Sequence, residues 1–277
     1  MRAALRIVFD VLVYRLRRLE MANLAAAVSV MLALGTALPD LLLRTVFGAG
    51  LNLLAYLTND ACDVEQDLAE GRAPEKTRFL YEHRRAALVS QLALFALLAA
   101  FALAYDPGLL LALVTGAGIC WVYSAHLKRY PQVDIASMVL WGVAMPLVAF
   151  PLGNGLGWML VIQLGLFSAC FEAIQVLRDH DEDQRAGVHT TAVELGPKAT
   201  VVLIRCFMLL AALYASLVLD RYVGPLLALV VLLPAPALAV PAAVTKYWNQ
   251  VRLAQGLGWL GLLLGVFLRG DAHGWLM

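Results

Sequence analysis

Residues 86–105 read AALVSQLALFALLAAFALAY, twenty residues without a charged side chain. A helix needs about 20 mostly apolar residues to cross the hydrocarbon core of a bilayer. Arg84 and Arg85 stand directly before this stretch, and Asp106-Pro107 directly after it. Charged residues are costly inside a membrane, and proline cannot continue a helix. The stretch therefore predicts one membrane-spanning helix with defined ends.

The composition of the whole chain extends this prediction. Hydrophobic residues make up 62% of the 277 residues, and charged residues only 15%. Soluble domains have about 45–50% apolar residues and about 25% charged residues. The composition therefore excludes a soluble enzyme, a disordered protein and a secreted disulfide scaffold. The net charge of +1 gives no electrostatic basis for binding nucleic acid. The sequence contains neither a P-loop nor a GxGxxG motif, so it gives no reason to predict a nucleotide site. The expected fold class is an all-α, polytopic integral membrane protein.

Nine stretches qualify as spans, and together they predict a single membrane-embedded domain over residues 1–277. They lie near 22–38, 41–60, 86–105, 108–126, 134–151, 157–177, 199–219, 222–244 and 253–270. The second is the weakest because it contains Arg44, and the three prolines of the eighth predict a kinked helix. Residues 1–20 alternate basic and apolar side chains, which predicts an amphipathic helix on the membrane surface.

The positions of lysine and arginine orient these spans. With the N-terminus inside, 18 of the 21 basic residues fall on inner segments, and only Arg44, Arg221 and Arg269 fall outside. Basic residues concentrate on the cytoplasmic side of membrane proteins, so we expect a cytoplasmic N-terminus in a bacterial inner membrane. The outer connections are short. Two inner segments, 61–85 and 178–198, are long and charged, and we expect them to be the cytoplasmic active-site loops.

Two acidic motifs mark the inner ends of the second and sixth spans. The first reads Asn59-Asp60-Ala61-Cys62-Asp63-Val64-Glu65-Gln66-Asp67, and the second Asp179-His180-Asp181-Glu182-Asp183. Both contain Asp-x-x-x-Asp-x-x-x-Gly, and each matching position is 116 residues from its counterpart. Because four spans separate the motifs, the sequence predicts a four-helix unit used twice, with a ninth helix appended.

The spacing places the carboxylates of each motif on one helix face. Residues i and i+4 share a face, and like charges there repel. A helix end keeps such pairs where a cation offsets the repulsion, and Mg²⁺ is commonly held by one or two carboxylates together with substrate phosphates. The alternative is that these acids are solvated loop charges, or ion-pair partners for Arg72, Arg178 and Arg185.

These residues resemble the motifs of the UbiA superfamily of intramembrane prenyltransferases. The family pattern N-D-x-x-D-x-x-x-D is matched by Asn59, Asp60, Asp63 and Asp67. The second pattern is matched by Asp179 and Asp183, followed by Gly187 and Thr190-Thr191, and Tyr123 to Arg129 matches a third element. The chain departs from the family at Glu75-Lys76-Thr77, where many members have Asn-Arg-Pro, so Lys76 stands in place of the arginine and the proline is missing.

The resemblance implies a reaction on a prenyl diphosphate in a central cavity open to the bilayer. It implies Mg²⁺ held by Asn59, Asp60, Asp63, Asp67, Asp179 and Asp183, with Asp60 the second choice. It implies that basic residues bind the diphosphate, with Lys128 first and then Arg129, Arg178, Arg72 and Lys76. Their presence on inner loops is equally expected from topology alone. Tyr123 is a candidate for facing the cation or the acceptor, and Glu172 for binding the acceptor or removing a proton. An interfacial tyrosine and a structural hydrogen bond are the respective alternatives.

The resulting hypothesis is Mg²⁺-dependent transfer of a prenyl group to an aromatic, quinone-precursor or lipid acceptor. A terpene cyclase of the same superfamily would use the same acids and close the cation on its own chain. A divalent-cation transporter is the alternative from another class, but acids gathered near one helix end argue against it.

Overall fold

The described part of the computed structural model comprises residues 2–17, 21–69, 71, 74–127, 130–131, 133–238 and 240–277. Within these ranges the chain is all-α, and the only β pairing is an isolated bridge between Asp220 and His273. The expected fold class is confirmed. The helices are α1 (Arg2–Arg17), α2 (Ala22–Ala33), α3 (Leu38–Ala69), α4 (Pro74–Glu82), α5 (Arg84–Tyr105), α6 (Leu109–Ala125), α7 (Val133–Ala144), α8 (Gly155–Ala186), α9 (Thr191–Leu195), α10 (Pro197–Tyr214), α11 (Val223–Leu227) and α12 (Pro241–Arg269).

The apolar helices lie where the sequence predicts spans. Five helices, α3, α5, α8, α10 and α12, are long and apolar enough to cross a membrane. Shorter apolar helices, α2, α6, α7 and α11, lie at the other four predicted positions, the last two with 3₁₀ extensions. The membrane class is thus confirmed. The count of nine crossings, the central cavity and the internal repeat remain predictions.

The eighth predicted span, 222–244, does not form one kinked helix, and that prediction is wrong. α11 ends at Leu227, its 3₁₀ extension ends at Leu232, and α12 begins at Pro241. A proline favours extended backbone in the residue before it, and Val240 has φ −125° and ψ 102°. Pro241 then lies in the first turn of α12, where its missing N–H removes no helical hydrogen bond.

The inner segments 61–85 and 178–198 are mostly helical, which corrects their description as loops. α3 continues to Ala69 and α8 to Ala186, so both acidic motifs lie on the last turns of 32-residue helices. Gly71 and Gly187 follow these ends, each with a φ of 68°. Glycine takes this left-handed conformation at little cost and commonly ends a helix. The polar residues that follow the apolar stretches of α3 and α8 therefore continue these helices and do not form loops.

The chain divides into two compact units. The first comprises Met1–Val28, Ala37–His126 and Ala144–Gly153. In it, Ile7 and Val11 of α1 pack against Leu57 and Val64 of α3 and Leu80 of α4. One face of α1 is thereby attached to the bundle, while other apolar residues of α1 stay exposed. Its location on the membrane surface remains a prediction.

The second unit comprises Ser29–Thr36, Leu127–Val143 and Asn154–Met277. Its core is formed by buried residues of α8, α10 and α12. α7 lies very close to α8, because a Cβ on Gly142 would be 2.5 Å from Ser168 Cβ. The Ser168 hydroxyl also donates to the backbone oxygen of Met138 at 2.7 Å. These contacts fix α7 against the helix that carries the second acidic motif.

Candidate active site

The first acidic motif lies on the last three turns of α3. Asn59, Asp63 and Asp67 follow one another at intervals of four residues and are all partly buried. They share a helix face, as their spacing predicts. The Ser124 hydroxyl of α6 donates to Asn59 Oδ1 at 3.0 Å, which orients the amide. The first unit thus presents two carboxylates and a fixed amide on one face.

Asp60 has different surroundings from the other acids of its motif. Its side chain is buried, with 2% of the residue exposed. Arg15 of α1 pairs with one carboxylate oxygen, and Lys76 Nζ of α4 with the other at 2.5 Å. Arg15 also lies over the Tyr56 ring, 4.4 Å from its centroid, and Lys76 lies 4.6 Å from the centroid of the Tyr14 ring. Both oxygens of Asp60 are therefore engaged by cations.

Arg15 is a neighbour of the first acidic motif that sequence interpretation does not single out. The available signal was its spacing, because Ile7, Val11 and Arg15 are four residues apart and share one face of α1. The first two are buried against the bundle, so the third is directed to the same side.

The second acidic motif lies on the last turns of α8. Asp179 and Asp183 are both partly buried. Arg178 donates to both oxygens of Asp179, at 2.7 and 3.0 Å. Asp181 points away from this face, and its side chain is 77% exposed beside His180. The second unit thus presents two carboxylates on one face, one of them paired with its neighbour.

Asp183 lies six residues beyond the predicted span 157–177. The pKa of its carboxyl is raised to about 6, chiefly by burial and further by the charges of Asp179 and Glu182, although a hydrogen bond from Thr190 acts to lower it. Burial and like charges both disfavour the ionised form. A cation bound beside Asp183 would stabilise that form, so this position favours a positive ligand.

The donor set fits Mg²⁺ only as an open site. Within the described ranges, no group of three or more His, Cys, Asp and Glu side chains is close enough to enclose a metal ion. Mg²⁺ rarely uses such enclosures, because it retains waters and binds one or two carboxylates with substrate phosphates. Each motif supplies two carboxylates of this kind, and the first also supplies the Asn59 amide.

The remaining predicted residues fall into two groups. Tyr123 is half-buried on α6 in the first unit, and Glu172 is buried on α8 in the second. The pKa of Arg178 is raised, first by its hydrogen bonds to Asp179 and then by the charges of Asp179 and Glu182. Glu172 lies close enough to Arg178 to add to this rise. Three predicted diphosphate-binding residues lie outside the described part of the chain, namely Arg72, Lys128 and Arg129.

Comparison with known proteins gives matches over most of the chain. The profile of the UbiA prenyltransferase family matches residues 22–267. Over 89 residues the chain is 28% identical to 4-hydroxybenzoate octaprenyltransferase of Pseudomonas fluorescens, an alignment that spans 31% of this chain and 29% of that relative.

Solved structures match over nearly the full length. A UbiA homologue from Archaeoglobus fulgidus, bound to DMAPP and Mg²⁺, matches with a TM-score of 0.61 at 19% identity, covering 96% of this chain and 99% of its own. A digeranylgeranylglyceryl phosphate synthase matches with a TM-score of 0.73 at 15% identity, covering 97% of this chain and 100% of its own. At these identities the matches show a shared fold.

Proposed function

The chain belongs to the UbiA prenyltransferase family, and from this premise we propose that it transfers a prenyl group from a prenyl diphosphate to an acceptor, using Mg²⁺. The observation that carries the proposal is the pair of acidic motifs, each with two carboxylates one turn apart at the end of a long apolar helix. A prenyl diphosphate has an apolar tail and a highly charged head, so its binding needs apolar helices beside charged helix ends. A bacterial inner membrane is the proposed location.

Asp63 and Asp67, with Asn59, bind one Mg²⁺ in this proposal, and Asp179 and Asp183 bind another. Mg²⁺ supplies neutralisation of the negative charge that grows on the departing diphosphate. The helix backbone holds each carboxylate pair in place before substrate arrives, so little reorganisation is needed during the reaction. Arg178 neutralises Asp179 until the metal binds, because it already donates to both of its oxygens.

Asp60 serves a different purpose in this proposal. Its two oxygens hold Arg15 and Lys76 beside the face that bears Asn59 and Asp63. Fixed cations stabilise a phosphate group more than mobile ones, because they need no reorganisation. Asp60 is therefore a positioning residue for two diphosphate-binding cations, and not a metal ligand. Lys128, Arg129, Arg72 and Arg178 are further diphosphate-binding candidates from the sequence motifs.

The acceptor is the less defined half of the reaction. The Pseudomonas relative is named for 4-hydroxybenzoate, an aromatic acid, and the synthase for a glyceryl phosphate lipid. We propose an aromatic or quinone-precursor acceptor, with a lipid as the second candidate. Tyr123 faces the cation or the acceptor, and Glu172 binds the acceptor or takes up its proton, since an ionisable side chain buried in an apolar helix commonly marks a functional site.

Diphosphate release by the purified protein in nanodiscs tests this proposal. The protein is incubated with Mg²⁺, prenyl diphosphates of increasing length, and either 4-hydroxybenzoate or a glyceryl phosphate lipid. Asp63→Asn and Asp179→Asn should each lower kcat about a hundredfold or more, since a catalytic metal contributes several kcal/mol. Unchanged diphosphate release in both variants would contradict the proposal.

Matched controls lie on the same two helices. Glu65 of α3 pairs with Arg84 and its side chain is 74% exposed, and Asp181 of α8 is similarly exposed. Glu65→Gln and Asp181→Asn should keep the wild-type rate within about twofold, because surface pairs contribute little. Product analysis without acceptor separates the alternative, since a cyclic hydrocarbon or alcohol would identify a terpene cyclase.

A further inference from the structure

Asp134, at the start of α7, is a fully buried acid that lies outside both acidic motifs. None of its surface is exposed. Its Oδ2 accepts the Thr191 N–H at 2.8 Å, and its Oδ1 accepts the Thr191 hydroxyl at 2.5 Å. Its own helix adds the Ile135 N–H at 2.8 Å. Burying a carboxyl group is costly unless its oxygens are hydrogen-bonded, and here two of the three donors come from one residue.

The two hydrogen bonds between Asp134 and Thr191, called here the grip on Thr191, lie next to the second acidic motif, because the preceding residue, Thr190, contacts that motif. The Thr190 hydroxyl donates to Asp183 Oδ2 at 3.2 Å. The segment between them is short, since α8 ends at Ala186 and the Val188 N–H bonds back to the Asp183 carbonyl at 2.9 Å. Thr190 and Thr191 are both buried. Two adjacent residues thus bind acids on different helices: Thr191 donates to Asp134 of α7, and Thr190 donates to Asp183 of α8.

We propose that Asp134 is a positioning residue that sets the orientation of the Asp183 carboxylate through Thr191 and Thr190. Gripping Thr191 by its backbone and its hydroxyl fixes the adjacent backbone of Thr190. The Thr190 hydroxyl then holds the Asp183 side chain in one rotamer, in which the other carboxylate oxygen of Asp183 is directed to the metal. α7 is itself fixed on α8 by the Gly142 and Ser168 contacts, so the grip has a rigid base.

This inference rests on the proposed function, in which Asp183 binds Mg²⁺. Groups that orient metal ligands affect metal affinity by about 10–100-fold when they are changed. Asp134 has a second means of acting, because its charge also raises the pKa of Asp183. An experiment must therefore separate the grip from the charge.

Mn²⁺ binding, followed by electron paramagnetic resonance with inorganic diphosphate present, makes this separation. Asp134→Ala removes both grip and charge and should weaken Mn²⁺ binding about tenfold. Asp134→Asn removes the charge and the bond from the Ile135 N–H, but it keeps an oxygen for the Thr191 N–H and an NH2 group that can donate to the Thr191 hydroxyl, so Mn²⁺ binding should stay within about threefold of wild type. Equal weakening in the alanine and asparagine variants would mean that the charge acts alone and would overturn the inference.

The hydroxyl of Thr190 provides a second measurement. Thr190→Val should weaken Mn²⁺ binding about tenfold, and Thr190→Ser should restore it. When Thr190→Val is combined with Asp134→Ala, the loss of Mn²⁺ binding should be no larger than in either single variant, because both substitutions act through the same chain of contacts. Losses that multiply would overturn the inference.

Two further variants cover stability. Thr200 is a buried threonine of the same unit whose hydroxyl bonds to the Gly196 carbonyl at 3.0 Å. Thr200→Val should lower Tm without changing Mn²⁺ binding. If Asp134→Ala does not fold, Thr191→Val loosens the same grip and should weaken Mn²⁺ binding several-fold; unchanged binding would overturn the inference. Wild-type protein that binds no Mn²⁺ with diphosphate would instead contradict the proposed function.

Discussion

At the scale of single residues, neighbouring acids on one helix have different chemical surroundings. Asp60 is enclosed with Arg15 and Lys76, whereas Asp63, three residues later, is only partly buried on the face that carries Asn59. A carboxylate between two cations has little negative potential left for a metal ion. We therefore assign Asp60 to positioning and Asp63 to metal binding.

Asp60→Asn separates these two assignments. Removing one member of a buried ion-pair cluster leaves the others uncompensated, which costs roughly 3–5 kcal/mol and should lower Tm by about 10 °C. The KM for prenyl diphosphate should rise, since Arg15 and Lys76 lose their fixed positions. The Mg²⁺ concentration that gives half-maximal rate should not change. A large rise in that concentration, such as we expect for Asp63→Asn, would identify Asp60 as a metal ligand.

The spacing of the motif residues was readable from the sequence, but their pairing was not. Intervals of four residues place Asp63 with Asp67 and Asp179 with Asp183 on shared faces regardless of packing. Arg15 and Asp60 are 45 residues apart, and only the packing of α1 on α3 brings them together. Asp134 and Thr191 are 57 residues apart, and Asp134 belongs to no spaced motif. Such contacts depend on tertiary structure and leave no local pattern.

At the scale of elements, apolar length predicted helix positions better than helix ends. The windows 86–105 and 157–177 lie inside α5 and α8, because burial in lipid requires an unbroken helix. The polar extension of α8 to Ala186 was missed, since a hydropathy window ends where the charges begin. The break between α11 and α12 was also missed, because several prolines permit either a kink or an end.

Arg44, which weakened the second predicted span, is neutralised within the first unit. It is buried, its side chain pairs with Asp106 at 2.5 Å, and it donates to the Val148 carbonyl at 3.2 Å. The pair connects α3 to the residue that ends α5. A single arginine in an apolar helix is therefore compatible with a span when its partner lies on the adjacent helix end.

Arg44→Ala should destabilise the protein by about 3 kcal/mol, because it leaves the Asp106 carboxylate without its partner. We expect Tm in detergent to fall by roughly 6–12 °C. Arg6, an exposed arginine that pairs with Asp10 on α1, provides the control, and Arg6→Ala should change Tm by no more than about 2 °C. Equal shifts for both substitutions would show that the buried pair adds no stability.

At the scale of the whole molecule, a small number of charges carries most of the predictive information. The family resemblance came from the acidic motifs, and the match over residues 22–267 confirms it. The match also confirms that the chain is a prenyltransferase-type enzyme. The acidic residues by themselves are also compatible with a divalent-cation transporter. The basic residues predict orientation, since 18 of 21 fall on inner segments of the predicted topology. This asymmetry is a physical property of the chain and can be tested without substrate.

Cysteine labelling tests the predicted orientation directly. Cys62 is an exposed residue within the first acidic motif, on the predicted inner side. Gly153 lies in a predicted outer connection, and a Cβ at this position would meet nothing within 4 Å. Two variants are compared: one keeps Cys62 with the other three cysteines changed to alanine, and the other carries Gly153→Cys in a cysteine-free background. An impermeant maleimide added to intact spheroplasts should label Gly153→Cys and spare Cys62, because basic segments stay in the cytoplasm. Both should react after permeabilisation, which controls for reactivity. Labelling of Cys62 alone in intact spheroplasts would place the acidic motifs and the N-terminus outside, and the predicted topology would be wrong.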